Sequence, residues 1–430
     1  MNSYAAEAAR FQADRHMHDS AWLRAARQNA LEEFQRLGLP TTRDEEWRFT
    51  SVAPIAEGRF ALAHNGASSV SAADYRAFGW GGEVAALLVF ANGRCVHEGG
   101  TANGAHVLSL AAALRDAGTV VEEHLTRVAG AQQAFTALNT ALLSDGAVIY
   151  VPDNVVVDQP IHVVFLSVGE DQPTLANPRV LIVLGANAQA TIVESYGAAR
   201  ADRYWTNAVT EIVAAANATV HHYKVQRETP ASCHVGSIYL RAGRDAHVAC
   251  HSVTLGGALV RNDVNVVLDG QGAGCTLNGV YISDGDRLVD NHTTIDHAQP
   301  HCASREVYKG VLADRSRAVF NGKIIVRPDA QKTDAKQTSK ALLLSEHAQI
   351  NTKPQLEIFA NDVKCTHGAA VGQMDEEAVF YLRARGLALG EARHMLVRAF
   401  AGDVLAHMPL EALRSRLEDE IMQRVPGSAV

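Results

Sequence analysis

The chain has 430 residues, 47% of them hydrophobic, which is enough for a sizeable core in two or three domains or in one extended repeat structure. Its formal net charge of −8 is spread along the sequence without Lys/Arg clusters, so nucleic acid is not expected as a partner. No apolar run approaches the length of a membrane span and the first residues lack a signal-peptide core, so we expect a cytoplasmic protein without a membrane segment.

The motifs of several large enzyme classes are missing. The six cysteines are scattered and none forms a Cys-x-x-Cys pair, which argues against a disulfide framework, a zinc ribbon or a ferredoxin site and predicts reduced thiols. There is no P-loop, His-Glu-x-x-His or Gly-x-Ser-x-Gly motif. We therefore expect neither ATP hydrolysis nor a self-contained catalytic triad in this chain.

Residues 1–135 predict a mixed region that begins with helix. Apolar residues recur at helical spacing over Ala21–Leu37, and Gly38-Leu39-Pro40 ends that pattern. Short strands are expected over Leu87–Ala91 and Val107–Leu110.

Residues 136–372 carry an internal repeat rich in Val, Ile and Thr. A small residue, a spacer and then an aliphatic residue or Cys recur at a spacing of roughly 28 residues. The four regular copies are Ala190-Thr191-Ile192, Ala218-Thr219-Val220, Ala246-His247-Val248 and Ala273-Gly274-Cys275. A β-solenoid, in which stacked coils bury a continuous aliphatic column, explains such self-similar turns, and a β-sandwich is the competing interpretation.

Helical patterns return in residues 373–430. Asp375 is expected to cap a helix that ends at Gly386, and a second helix is expected over Gly390–Ala401. A third begins near Pro409. The apolar stripes of these helices can pack on the solenoid or bind a partner.

Cys365-Thr366-His367 lies between the last strand-like run and these helices. Residues two apart on a strand point to the same face, so Cys365 and His367 can present a thiol and an imidazole side by side. Both groups bind iron, zinc or copper, and thiolate also takes part in sulfur chemistry. Two ligands do not close a tetrahedral site, so a metal held here needs further ligands from elsewhere or from a second subunit. The alternative is a buried cysteine beside a structural histidine.

Many ordered segments between residues 135 and 410, with a weaker match around Glu46–Thr50, resemble one known family. They are Asp290-Asn291-His292-Thr293, Tyr308-Lys309-Gly310, Asn321-Gly322-Lys323-Ile324, Gln331-Lys332-Thr333-Asp334-Ala335, Gln337, Leu342-Leu343-Leu344-Ser345, Pro354-Gln355-Leu356-Glu357-Ile358, Asp362-Val363-Lys364-Cys365-Thr366-His367-Gly368, Phe380-Tyr381-Leu382 and Arg385-Gly386. The family is SufB/SufD, which assembles iron–sulfur clusters, and the Val-Lys-Cys-x-His-Gly context is similar to its SufD branch.

The resemblance implies a mainly β fold. A right-handed parallel β-helix core (136–372) would lie between an N-terminal helical domain (1–135) and a C-terminal helical domain (373–430). It also implies a non-catalytic scaffold subunit that pairs with a SufB-like subunit through the β-helix end. The C-terminal domain would bind a SufC-like ABC ATPase, which hydrolyses the ATP.

By the same resemblance, His367 is a candidate ligand for iron or a nascent cluster, and Cys365 is a neighbouring or auxiliary ligand. Iron or a cluster would be bound transiently at the subunit interface, and no tightly bound cofactor is expected in the isolated chain. The residues expected to contact the ATPase are Phe380, Tyr381, Leu382, Arg385, Met395 and Phe400.

Three alternatives stay open. The isolated chain can form a homodimer through an open β-helix edge. A β-solenoid carbohydrate enzyme would need clustered acids on one face, for which Asp284, Asp286 and Asp290 are the candidates. In a purely structural partner of SufB, Cys365 and His367 would be inert.

Overall fold

The computed structural model describes residues 3–15, 19–63, 70–116, 118–170, 172–200 and 203–425. Within these ranges the chain is mainly β-strand, with helices at both ends of the sequence. The helices are α1 (Ser3–Arg15), α2 (Ala21–Leu37), α3 (Ala53–Ala56), α4 (Ala72–Arg76), α5 (Leu110–Asp116), α6 (Gly118–His124), α7 (Ala134–Ala141), α8 (Glu376–Arg383), α9 (Leu389–Leu405) and α10 (Glu411–Arg424), with a 3-10 turn at Glu45–Trp47.

The strands form two sheets, named here sheet 1 and sheet 2, which are the two long walls of a solenoid. Sheet 1 contains β1 (Ala61–Leu62), β4 (His106–Ser109), β5 (Gly146–Val151), β7 (Thr174–Ala176), β8 (Arg179–Leu184), β10 (Tyr204–Ala214), β12 (Cys233–Ala242), β14 (Leu259–Leu268), β16 (Leu288–His297), β18 (Arg317–Val326) and β20 (Gln349–Ile358). Sheet 2 contains β2 (Ala86–Ala91), β3 (Arg94–Gly100), β6 (Ile161–Ser167), β9 (Gln189–Ala198), β11 (Thr219–Gln226), β13 (His247–Thr254), β15 (Gly274–Ser283), β17 (Ala303–Leu312), β19 (Asp334–Leu343) and β21 (Lys364–Gln373).

From β8 to β21 the chain alternates between the sheets, and each strand pairs in parallel with the strand one coil away. This topology confirms the predicted parallel β-solenoid, and the β-sandwich interpretation is wrong. Antiparallel pairs occur at the first coils, where β3 lies beside β2 and β4 beside β5.

The predicted repeat has a structural cause in the turns that precede β9, β11 and β13, and a similar turn lies before β6. Asn154, Asn187, Asn217 and Asp245 have φ between 53° and 62°, the left-handed region that Asn and Asp tolerate better than most residues. The amides also stack, because Asn187 Nδ2 donates to Asn154 Oδ1 (2.8 Å) and Asn217 Nδ2 donates to Asn187 Oδ1 (3.0 Å). Shortly after each turn, the aliphatic residues of the repeat enter one buried column.

The N-terminal helices cover the outer face of sheet 1. Tyr4, Phe34 and Phe135 are buried around Trp205 of β10, and the Tyr4 and Trp205 ring centroids lie 5.2 Å apart. The predicted helix Ala21–Leu37 is α2. It ends where Gly38, at φ 66°, donates its N–H to the Phe34 carbonyl (2.8 Å).

The C-terminal helices cover part of the outer face of sheet 2. Val397 and Leu405 of α9 pack with Val253 and Val280 of the solenoid. As predicted, Asp375 caps α8, because its side chain accepts hydrogen bonds from the amides of the second and third helical residues at 3.0 and 3.1 Å. No helix in the described ranges is long and apolar enough to cross a membrane.

Candidate functional site

Cys365 and His367 lie on β21, the last strand of sheet 2. β21 pairs with β19 along one edge, and no described strand pairs with its other edge. The same is true of β20 in sheet 1, which pairs with β18 alone. The final coil, β20 and β21, is therefore an open end of the solenoid.

The register orients the two side chains. Cys365 is opposite Ala335 and His367 is opposite Gln337, and both of these β19 residues are buried in the solenoid interior. Because side chains alternate along a strand, Cys365 and His367 share the face that continues this interior column. The structure thus brings the two predicted ligands together, at the point where the column reaches the open end.

The two groups differ in exposure. Cys365 is half-buried against the apolar cluster that includes Ala335, while His367 is exposed. Burial raises the pKa of the Cys365 thiol above its ordinary value, and a hydrogen bond from the Ala335 backbone partly offsets this. Cys365 is therefore a neutral thiol that must lose its proton before it binds a metal.

Two buried polar residues lie in the same column beneath His367. Gln337 is next to His367, and Glu306 of β17 is next to Gln337. Gln337 Nε2 donates to Glu306 Oε2 (2.8 Å), whereas Gln337 Oε1 is buried without a hydrogen-bond partner. Burial raises the pKa of Glu306 to about 7, although the hydrogen bond from Gln337 offsets part of the rise.

Sequence reasoning did not single out this column. Glu306, Gln337 and His367 are separated by one coil each, so aligning the irregular later coils would have placed them in one row. The regular copies of the repeat end near residue 275, so their spacing did not predict the positions of Glu306, Gln337 and His367.

The described residues contain no group of three or more His, Cys, Asp or Glu side chains that can hold a metal ion. Cys365 and His367 offer one sulfur and one nitrogen donor, a set that suits iron or an iron–sulfur cluster but does not complete its coordination. Large apolar side chains are exposed at the same end, with Phe359 65% and Val371 50% exposed. The open end thus combines unpaired strand edges, exposed apolar side chains and the two candidate ligands.

A second exposed surface lies on the C-terminal helices. Phe380 and Tyr381 of α8 are 74% and 55% exposed, and the Arg385 guanidinium lies 3.4 Å from the Tyr381 ring centroid. Met395 of α9 is also exposed. Leu382 is half-buried.

Phe400, the sixth residue expected to contact an ATPase, makes a contact within the chain. It is half-buried and packs against the apolar cluster beneath α9. The Lys309 ammonium of β17 lies 4.7 Å from its ring centroid, donates to its carbonyl (2.9 Å) and pairs with Asp403 (2.6 Å). This contact fixes α9 to the solenoid.

The three acidic residues considered for a carbohydrate enzyme all form ion pairs with arginines. Asp284 pairs with Arg287, and Asp286 pairs with Arg315 (2.8 Å). Asp290 is buried, and the Arg261 guanidinium 2.7 Å away helps to lower its pKa to about 2. Glycoside hydrolysis needs one carboxylic acid with a raised pKa, so these three residues do not support that alternative.

Two family models together cover most of the chain. The SufBD protein N-terminal region matches residues 2–163, and the SufBD core domain of the SUF system for FeS cluster assembly matches residues 165–400.

Similar proteins occur in several bacteria. An iron–sulfur cluster assembly SufBD family protein of Synechocystis is 36% identical over 403 residues, which cover 91% of this chain and 88% of that protein. The iron–sulfur cluster assembly protein SufD of Escherichia coli is 32% identical over 94% of this chain and 93% of its own length. SufD of Bacillus subtilis is 28% identical over 95% of each chain.

Proposed function

The chain belongs to the SufBD family of iron–sulfur cluster assembly proteins, and from this premise we propose that it is a SufD-type, non-catalytic scaffold subunit. It pairs with a SufB-like subunit through the open end of the solenoid, binds a SufC-like ABC ATPase through its C-terminal helices, and contributes ligands for iron or a nascent cluster. The complex acts in the cytoplasm. Iron and sulfur are cargo, held only until the finished cluster leaves.

The observation that carries this proposal is the position of an incomplete ligand pair at an unpaired edge. Exposed strand edges pair readily with another chain, and natural proteins usually cover or charge them. The same final coil exposes the apolar side chains of Phe359 and Val371 and carries Cys365 and His367. A partner docked on this edge supplies the missing ligands and buries the apolar side chains in one step.

The chemistry of assembly then divides between two side chains. His367, exposed, meets the incoming iron first and needs no large rearrangement to do so. Cys365 joins after its thiol has released a proton, so ligand binding is coupled to proton release. Both roles depend on donors from the partner, because two ligands leave iron unsaturated.

The C-terminal domain (373–430) is the proposed ATPase dock, with the β-helix (136–372) and the N-terminal domain (1–135) as the other two units. The exposed aromatic pair Phe380 and Tyr381 provides the apolar anchors that protein interfaces prefer. α8 follows directly after β21, and Lys309 ties α9 to β17. A movement imposed on these helices by the ATPase is therefore passed to the open end.

The test is replacement of His367 by Ala in the complete complex with the SufB-like and SufC-like subunits. We expect the complex to co-purify unchanged and its iron and sulfide content after reconstitution to fall several-fold. The matched control is His106→Ala, because His106 is also exposed but lies on β4 at the opposite end of sheet 1. Unchanged iron and sulfide in an intact His367→Ala complex would remove His367 from the proposed ligands, and the same result for Cys365→Ala would make this chain a purely structural partner.

The open edge also permits a homodimer of the isolated chain. Two copies can pair by the same strand edges when no SufB-like subunit is present. A SufB-like subunit added to such a homodimer is expected to displace one copy, since each open end accommodates a single partner.

A further inference from the structure

A cavity of about 430 Å³ lies between the outer face of sheet 1 and the N-terminal region. Three segments that carry the family resemblance, remote from one another in the chain, meet around it: Glu46–Thr50, Asp290–Thr293 and Asn321–Ile324. The proposed function uses none of them. The volume lies within the range of about 300–1,000 Å³ that is typical of small-molecule sites.

One wall of the cavity is apolar and held in place. Leu37, Trp47 and Phe135 line it, and the ring centroids of Trp47 and Phe135 lie 5.3 Å apart. The buried Arg261 guanidinium lies 4.3 Å from the Trp47 ring centroid. Trp47 is thus fixed between a cation and a second aromatic ring, which gives the wall a defined shape.

The side of the cavity formed by sheet 1, called the floor here, carries several charged side chains, and most of them are paired with one another. Arg261 pairs with Asp263 and Asp290, both at 2.7 Å. His292 lies 3.0 Å from Asp290 and 3.2 Å from Glu46. These groups build the floor but leave little unbalanced charge to attract a ligand.

The polar side chains of the cavity form two rows that run across strands β14, β16 and β18. The first row is Asp263, His292 and Asn321, with Glu46 above it, and the second is Asn265, Thr294 and Lys323. Corresponding members are two residues apart, or about 6.6 Å along a strand. At its Asn321 end the first row thus offers hydrogen-bond acceptors, Asn321 Oδ1 and the Glu46 carboxylate, whereas the second row offers hydrogen-bond donors, Asn265 Nδ2 and Lys323 Nζ.

Two amide atoms in these rows have no partner. Asn321 is 5% exposed and its Nδ2 donates to Glu46 Oε2 (3.1 Å), but its Oδ1 accepts no hydrogen bond. In the second row Asn265 Nδ2 is buried without an acceptor. The nearest paired anion of Lys323 is Glu357, 3.5 Å away and half exposed. An unmet buried donor or acceptor is costly, so a ligand that satisfies both atoms gains affinity.

We propose that this cavity binds a free α-amino acid with an apolar side chain. Its ammonium group donates to Asn321 Oδ1 beside the Glu46 carboxylate. Its carboxylate accepts from Lys323 Nζ and Asn265 Nδ2. Its side chain packs against the wall formed around Trp47. A zwitterion carries a donor group for the acceptors of the first row and an acceptor group for the donors of the second, and an ion of either sign alone would match only one of the two rows.

The experiment uses the full chain and the free amino acids with apolar side chains as probes, first by thermal shift and then by calorimetric titration. At least one is expected to raise the melting temperature and to bind with a measurable dissociation constant. The N-acetyl amide of that amino acid has the same side chain without either charge, and we expect it to bind at least ~10-fold more weakly.

The protein side is tested with Lys323→Gln, which we expect to weaken binding of the amino acid by at least ~10-fold. Its matched control is Lys336→Gln, because Lys336 is exposed on β19 of the other sheet and we expect no effect there. No binding by any probe would overturn the proposal. The proposal would also be overturned if the wild type bound the capped amide as strongly as the free amino acid and the Lys323→Gln variant bound the free amino acid as strongly as the wild type does.

Discussion

At the residue scale, burial determines the protonation state of the polar column beneath His367, which consists of Gln337 and Glu306. Glu306 and Gln337 are each at most 2% exposed, yet Glu306 has no cation among its hydrogen-bond partners. A buried carboxyl without a cation favours its neutral form, which is why its pKa rises from 4.5 to about 7. A cation bound at His367, about two strand spacings or ~10 Å away, would favour the ionised form instead.

This raised pKa predicts a pH dependence of folding stability. The folded state holds the Glu306 proton more tightly than the unfolded chain, so the free energy of unfolding falls as pH rises from 4.5 to about 7 and is level above that. The fall due to this group is about 3 kcal/mol. The Glu306→Gln variant has no carboxyl at this position and does not show this fall. Between pH 4.5 and about 7, its free energy of unfolding therefore rises by that amount relative to the wild type.

Urea unfolding at a series of pH values measures this effect. Glu346→Gln is the control, because Glu346 is an exposed carboxylate in the turn before β20, and its profile should follow that of the wild type. Parallel profiles for Glu306→Gln and the wild type would show that Glu306 does not carry a raised pKa.

The placement of Cys365 and His367 on one strand face could be predicted from the sequence, but the surroundings of the two side chains could not. Cys365 and His367 are two apart, and that spacing alone predicts that they share a strand face. Gln337 and Glu306 continue this face toward the solenoid interior because of the register of β17, β19 and β21. The loops between these strands differ in length from coil to coil, so the sequence alone does not give that register. Their burial and the raised pKa of Glu306 follow only from that register.

At the element scale, short-range signals were reliable where a single residue determines an element boundary. Gly38 ends α2 and Asp375 begins α8, because a positive φ and an N-terminal cap each have a local cause. The outcome for Phe400 differs. Its spacing places it on an apolar helix face, but only the fold reveals that this face is covered by Lys309 and the solenoid.

The two exposed surfaces predict separable partners. Phe380→Ala on α8 is expected to weaken ATPase binding by about 2 kcal/mol or more and to leave pairing with the SufB-like subunit intact, since exposed aromatic anchors dominate interface energies. Phe359→Ala at the open end is expected to have the reverse effect. Each variant controls for the other, because both remove an exposed phenyl ring. Titration of each variant with each partner separately measures both effects, and loss of the same partner in both variants would contradict this assignment.

At the scale of the whole molecule, the solenoid ends asymmetrically. The first coils finish in antiparallel strands, β3 and β4, whereas the last coil presents two parallel strand edges and the ligand pair. The N-terminal helices cover the outer face of sheet 1 and the C-terminal helices cover part of the outer face of sheet 2. The final coil is thus the end at which we propose that a partner and the cargo meet. The repeat pattern did not reveal this end, because the pattern describes the coils and not where they stop.

The most direct test of this account is an iron titration, under anaerobic and reducing conditions, of the chain alone, of the SufB-like subunit alone and of the two together. We expect the pair to bind iron at a site that neither subunit has alone, and replacement of His367 by Ala to weaken that site by at least ~10-fold. Iron binding by the pair that equals the sum of the separate subunits, or that is unchanged by His367→Ala, would contradict a shared site at the open end.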